Sequence, residues 1–280
     1  MAAHAISIVE AVTLGVVQGL TEFLPISSTA HLRVVPAMLH WEDPGVAYSA
    51  VIQLGSVLAV LTYFFKDLIA IAGGTLAALK NKDYSDHNLR LSGAIIVGTI
   101  PISVLGLLLK HLLQQDGSPL RSLNVIGGAA IFMGLALLFA EKVSKHQRGI
   151  DEIRGLDGLL VGFGQAMAII PGCSRSGSTL TVAMLLGMKR ADAARFSFLL
   201  GIPAIVLSGL MELIDMVKQG LGDAAISSLV VGLIVSAVVS YLSIAWLLRY
   251  LQHHSTVFFV IYRLIFGVAV IAMYNMASIK

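Results

Sequence analysis

The stretch Gly15-Val-Val-Gln18-Gly-Leu-Thr-Glu22-Phe-Leu-Pro25-Ile-Ser27-Ser28-Thr29-Ala-His31 decides how this chain reads. Its flanks are apolar enough to enter a bilayer, yet it holds a carboxylate, an imidazole, three consecutive hydroxyl residues and a proline. Gln18 and Glu22 are spaced i,i+4 and therefore share one helix face. Pro25 breaks that helix soon afterwards. A helix that enters lipid and stops must bury its loose backbone in protein or beside water. Residues 157–188 repeat the design, with Gly162-x-x-Gln165 followed by Pro171-Gly172-Cys173-Ser174-Arg175-Ser176-Gly177-Ser178-Thr179. Neither stretch reads as a simple crossing.

Composition sets the frame for these two segments. Of 280 residues, 57% are hydrophobic and 12% charged, with mean hydropathy +0.87. Soluble domains carry about 25% charged residues, so this chain cannot hide its apolar excess in water. A disordered chain, a disulfide scaffold and a nucleic-acid binder are excluded, and an all-α polytopic membrane protein is implied. The lone Cys173 admits no internal disulfide and no cysteine-rich metal site. The first apolar stretch ends in Glu22 and Pro25 rather than at a cleavage site, so the first segment is expected to stay in the mature protein.

A crossing helix needs about 20 mostly apolar residues. Six stretches qualify: 47–65, 91–109, 124–140, 197–217, 226–248 and 256–277. Their borders are polar, at Lys66–Arg90, Lys110–Arg121, Glu141–Arg154, Lys218–Asp223 and Arg249–His254. Each broken segment is followed by a related apolar one, beginning Tyr48-Ser49 and Phe196-Ser197. The chain thus reads as one integral membrane domain, 1–280, holding two copies of a unit, about 6–141 and about 157–277, joined by the charged linker 141–156. If each broken segment enters and returns, each copy crosses three times, and the second copy is inverted relative to the first. Inverted repeats with broken helices put a polar site near the bilayer midplane. Lys and Arg are richer in 66–90 and 141–156 than in 110–121, which predicts those two regions on the cytoplasmic side and both termini outside.

Two clusters could carry chemistry. Glu22 is an intramembrane carboxylate, which is costly and by default functional. His31 can serve as acid, base or nucleophile, and Ser28 as a nucleophile beside a base. The competing reading is a buried polar network that staples helices. In the second cluster, glycines, hydroxyls and Arg175 precede an apolar helix, which makes an anion site at a helix N-terminus. Arg175 can grip a phosphate with two parallel hydrogen bonds. The competing reading is a serine-rich turn whose arginine snorkels to a headgroup. No Walker lysine is present. A divalent metal held by the carboxylate could bridge phosphate oxygens. The set suits phosphoryl transfer from a lipid-borne phosphate.

The stretches Gln18-Gly-Leu-Thr-Glu22-Phe-Leu-Pro25-Ile-Ser27-Ser28-Thr29 and Pro171-Gly172-x-Ser174-Arg175-Ser176-x-x-Thr179 closely resemble the undecaprenyl-diphosphate phosphatase family of the bacitracin-resistance type. The resemblance extends over nearly the whole chain, through Val51-Ile-Gln53-Leu-Gly-Ser56 and Phe196-Ser197-Phe-Leu-Leu200. It implies a multi-pass enzyme of the bacterial cytoplasmic membrane with its site open to the outer face. That enzyme would convert the C55 prenyl diphosphate to the monophosphate for peptidoglycan synthesis, depend on Mg²⁺ or Ca²⁺, and confer bacitracin resistance. Its partners would be the lipid diphosphate and membrane lipid, with no nucleic acid; a homodimer is compatible with it.

Carried over position by position, the resemblance implies Arg175 on the diphosphate and Glu22 as metal ligand or base. Ser28 and His31 are rival nucleophiles, with Ser28 favoured. Ser27, Ser174, Ser176 and Thr179 would orient phosphate oxygens, and Gln53 would support them or simply join two helices. The family often has Glu where this chain has Gln18, so Gln18 offers only hydrogen bonds or a neutral oxygen. Cys173 reads as packing, His253-His254 as an interfacial loop, and Gly127-Gly128 and Gly201-x-Pro203 as close packing or kinks. Trp41, Trp246 and Tyr250 read as interfacial aromatics, and Asp43-Pro44 as a turn. The rival function is an inverted-repeat transporter or flippase for a phosphorylated lipid or small anion.

Overall fold

The computed structural model describes residues 6–43, 45–109, 120, 122–219 and 223–275. Among them are eleven α-helices and no strand beyond a single bridge between Arg148 and Met188. In chain order these are α1 (Ile8–Thr21), α2 (Ser28–Met38), α3 (Gly45–Tyr63), α4 (Phe65–Asn81), α5 (His87–Leu108), α6 (Leu123–Val143), α7 (Gly155–Ala166), α8 (Arg175–Leu185), α9 (Arg190–Gln219), α10 (Asp223–His253) and α11 (Val257–Asn275). The chain is an all-α polytopic membrane protein. By length and composition five helices can cross a bilayer, and the bent pair α3–α4 makes up to six.

Helix starts follow the local sequence. Ser7 and Glu10 close a reciprocal capping box on α1, with Glu10 N–H donating to Ser7 Oγ at 3.2 Å and Ser7 N–H to Glu10 at 2.7 Å. Asp86 accepts from the Asn88 and Leu89 amides at 2.8 and 3.1 Å to start α5. Outward faces are apolar: Leu107, Phe132, Phe139, Leu242 and Ile265 are all exposed. Only 28% of the apolar window of α5 is buried inside the protein, as expected of a helix whose solvent is lipid.

The polar border expected at 66–90 is largely the helix α4, which turns 67° away from α3. Lys66 and Asp67 begin this helix rather than a loop; Asp67 accepts from Arg195 of α9 at 2.7 Å, while Ile69, Leu76 and Leu79 stay exposed. Lys82, in the left-handed region at φ 57°, ends it. The border at Arg249–His254 is likewise mostly helical: α10 runs to His253, and His254 stacks on Tyr250 with ring centroids 4.6 Å apart. Border 110–121 lies outside the described residues except for Leu120, and so do Pro44 and residues 220–222.

Helix pairing positions the two broken segments. The short helix α1 packs along α10, and the short helix α7 packs along α5. Backbones nearly touch at the second pair: a Cβ on Gly162 would lie 2.4 Å from the Gly98 carbonyl. Helices α6 and α11 close reciprocally through Gly127 and Gly267, which is the close packing expected of Gly127. The linker is tied down as well. Arg148 donates to both oxygens of Asp157, at 3.1 and 2.6 Å, a pairing that raises the pKa of its guanidinium. Glu141 accepts from Arg190 and from the Thr256 hydroxyl, joining α6, α9 and the start of α11.

Candidate active site

Neither α1, with 14 residues, nor α7, with 12, is long enough to cross a membrane at 1.5 Å per residue. Both end inside the protein, and there the chain turns twice in the same manner. After α1 it passes Glu22, Pro25 and Ser27 and begins α2 at Ser28. After α7 it passes a short 3₁₀ turn, Pro171, Gly172 and Ser174 and begins α8 at Arg175. The residue before each new helix is a serine in the left-handed region, Ser27 at φ 78° and Ser174 at φ 68°. Non-glycine residues avoid this region, and such strain gathers at functional sites. Ser174 caps its helix by accepting from the Gly177 amide at 3.1 Å.

The two turns meet at Glu22. Its Oε2 accepts from Ser28 Oγ at 2.6 Å and from Gln18 Nε2 at 2.9 Å. Its Oε1 accepts from Arg175 Nη2 and from Gln53 Nε2, both at 3.1 Å. The Glu22 and Arg175 side chains are only 4% and 10% exposed, so this ion pair across 153 positions of sequence is shielded from solvent. Two further donors of Arg175, Nε and Nη1, are buried with no hydrogen-bond partner. Behind Arg175 lies Gly201: a Cβ there would sit 1.3 Å from Nη1. The glycine expected to serve close packing or a kink is thus the bed on which the guanidinium rests.

A cavity of about 500 Å³ opens onto this network. Glu22, Ser27, Ser28, Thr29, Gln53, Ser174 and Arg175 line its polar end, and α5 and α9 continue it with Ile102, Leu107, Ile205 and Met211. Gln18 stands one layer behind, fully buried, and also donates to Ser56 at 3.3 Å; Ser56 is bonded in turn to Ser236 and Ser240 on α10.

Besides Gln18, three of the expected residues do not line the cavity. His31 is buried, with Nδ1 2.7 Å from the Ser27 carbonyl and Nε2 2.6 Å from the Tyr262 hydroxyl, and it stacks on Phe266 at 4.3 Å. Ser176 donates to the Leu24 carbonyl at 3.0 Å, tying one turn to the other. Thr179 bonds the Arg175 carbonyl at 2.8 Å and the Ser197 hydroxyl. Cys173 is buried beside the second turn with its side chain in the packing.

Sequence reading passed over one residue that touches both turns. Arg263 of α11 is the largest fully buried side chain among the described residues. It lies within the apolar crossing 256–277, and the rule that singles out Glu22, that a charge inside the membrane is functional by default, applies to it equally.

The family model described as bacitracin resistance protein BacA matches residues 11–269. A protein named undecaprenyl-diphosphatase from Gloeobacter violaceus is 57% identical over 268 residues, covering 96% of this chain and 92% of its own. Proteins of the same name from Trichormus variabilis and Synechocystis are 54% and 52% identical, covering 95% and 97% of this chain and 83% and 84% of theirs. The matched span takes in both turns, Gln53, Gly201 and Arg263, so the geometry around Glu22 is that of a family member throughout: the chain belongs to the bacitracin resistance protein BacA family.

Proposed function

We propose that this chain hydrolyses undecaprenyl diphosphate to undecaprenyl phosphate and inorganic phosphate, returning the lipid carrier to peptidoglycan and other envelope polymers and conferring bacitracin resistance. Family membership and the relatives named undecaprenyl-diphosphatase support the reaction. The observation that carries it is the Glu22 carboxylate, held between a hydroxyl at 2.6 Å and a guanidinium at 3.1 Å beside a cavity with an apolar extension. The diphosphate occupies the polar end, and the prenyl chain runs between α5 and α9.

Ser28 is the nucleophile. Its proton passes along the existing hydrogen bond to Glu22 while Oγ bonds to the terminal phosphorus, and the bond from that phosphorus to the bridging oxygen breaks, releasing the lipid monophosphate. The lipid monophosphate carries that proton away from Glu22 as it leaves; water then attacks the phosphoserine, Glu22 takes the water proton and passes it to Ser28 Oγ as the serine–phosphorus bond breaks, and phosphate departs. Arg175 neutralises charge on the phosphate oxygens, helped by Ser27, Ser174 and the N-termini of α2 and α8. His31, with both nitrogens engaged by Ser27 and Tyr262, orients the first turn.

The donor set fits a divalent ion shared with substrate. Glu22 would hold the ion together with phosphate oxygens of the substrate, as suits Mg²⁺, which is commonly bound by one or two carboxylates plus phosphates; Ca²⁺ would draw more of its ligands from substrate and water. Among the described residues no group of three His, Cys, Asp or Glu side chains could hold a metal alone. When bound, the ion neutralises charge on the diphosphate.

We further read residues about 6–141 and about 157–277 as inverted copies, supported by the matching serine turns and by α1 on α10 and α7 on α5. The site opens to the outer face of the bacterial inner membrane. The deciding experiment is phosphate release from undecaprenyl diphosphate by the purified chain in detergent, with and without EDTA, beside Arg175→Ala. EDTA-sensitive release that the variant loses supports the reading. Folded protein that releases no phosphate overturns it in favour of a transporter.

A further inference from the structure

Arg263 makes four hydrogen bonds, all to backbone carbonyls. Nε donates to Ala130 on α6 at 3.2 Å, Nη1 to Pro25 in the first turn at 2.8 Å, and Nη2 to Gly172 and Cys173 in the second turn at 2.8 and 3.1 Å. The residue is 1% exposed, and no ion pair to it exists among the described residues. Room for it is made by glycines, since a Cβ on Gly177 would come within 3.1 Å of Nη1.

A buried cation without a carboxylate is costly, and mere stability is served as well by apolar packing. What a guanidinium supplies that hydrocarbon cannot is a rigid fork of donors. Backbone carbonyls in a turn at membrane depth have no water to accept from, and here one fork answers carbonyls of both turns. Pro25 lies two residues before Ser27, and Gly172 and Cys173 lie just before Ser174. The separation of the two left-handed serines, and so of Ser28 from Arg175, is spanned by a single planar group.

On the reading above, Ser28 and Arg175 must act on one diphosphate from opposite turns. We infer that Arg263 is a positioning residue for this hydrolysis: it brackets the two turns and fixes the spacing at which nucleophile and phosphate grip meet. It lies outside the cavity lining and does not touch substrate.

Arg263→Lys tests this, because lysine keeps the charge and loses the fork. The full chain in detergent is assayed for kcat and KM on undecaprenyl diphosphate. A prenyl methylenediphosphonate, which cannot be hydrolysed, counts binding sites per chain, and amide hydrogen exchange is followed in residues 22–28 and 171–176. The variant is expected to keep full binding stoichiometry and a KM within about threefold while kcat falls about 100-fold, the scale of an ångström-sized misplacement. Exchange should rise in both turns together. A kcat near wild type, a fall matched by loss of binding sites, failure of the lysine variant to fold, or faster exchange in one turn alone overturns the bracket. Wild-type protein that binds the phosphonate without releasing phosphate from substrate would sink the proposed reaction, while exchange in the two turns still reads the bracket.

Discussion

The two broken segments share a backbone and divide the chemistry. Each ends a short helix, passes a serine at φ 78° or 68° and starts an 11-residue helix. At the first position of the new helix one has Ser28 and the other Arg175. Each short helix carries a buried glutamine, but four residues on stands Glu22 in one and Ile169 in the other. Gln18 accordingly donates to Glu22 at 2.9 Å, whereas Gln165 reaches only the Gly98 carbonyl at 3.5 Å and leaves its Oε1 buried without a partner. The same fold element therefore supplies acid and hydroxyl on one side and the cation on the other, and a complete site requires both.

The hardest way to break this division is to remove a member from either side. Arg175→Ala is expected to lower kcat on undecaprenyl diphosphate about 1,000-fold with helix content intact, the upper end for loss of one charge-stabilising donor. Glu22→Gln should do the same and blunt the response to EDTA. Substantial turnover by either variant, measured as phosphate release, would mean the pair is only a staple.

Gly201→Ala sharpens the comparison without touching the chemistry. The new methyl would occupy the space of Arg175 Nη1, 1.3 Å away. Activity should fall about 100-fold as the guanidinium is pushed from its place, with thermal stability falling less than for a large core deletion. Retained activity would show that Arg175 has a second resting position.

The two glutamines give a smaller, paired test. Gln18→Leu removes a hydrogen bond to a charged group and should cost about tenfold in kcat/KM. Gln165→Leu, acting where no acid stands, should leave turnover near wild type. Equal losses would contradict the asymmetry. The smallest effect is expected for Cys173→Ser, whose side chain serves packing; an inactive enzyme there would place the thiol in the reaction.

Much of this was legible in the chain. Proline, glycine and clustered hydroxyls stand out against apolar surroundings, so both turns could be found, and the inverted repeat of broken helices implied a shared polar site. What could not be read was geometry set by packing. The 67° bend between α3 and α4 falls at Tyr63–Phe65, where no proline or glycine marks it, and Phe64 at the break is buried in the main core cluster. The sequence offers His31 as a reactive group because its burial against Tyr262 and Phe266 joins residues more than 200 positions apart. Gly201 looked like a packing residue for the same reason: the side chain it accommodates comes from another helix.

The bond from Arg263 back to Pro25 has a consequence for how the molecule is made. The acid and hydroxyl are synthesised first, and Arg263 follows Glu22 by about 240 residues. At about 5–20 residues per second this is a delay on the order of 10–50 s. Throughout that interval the first turn lacks the donor to its Pro25 carbonyl, and for the first 153 residues of it Glu22 also lacks Arg175. The nascent chain is thus a site whose two turns have no common brace until its eleventh helix closes behind them.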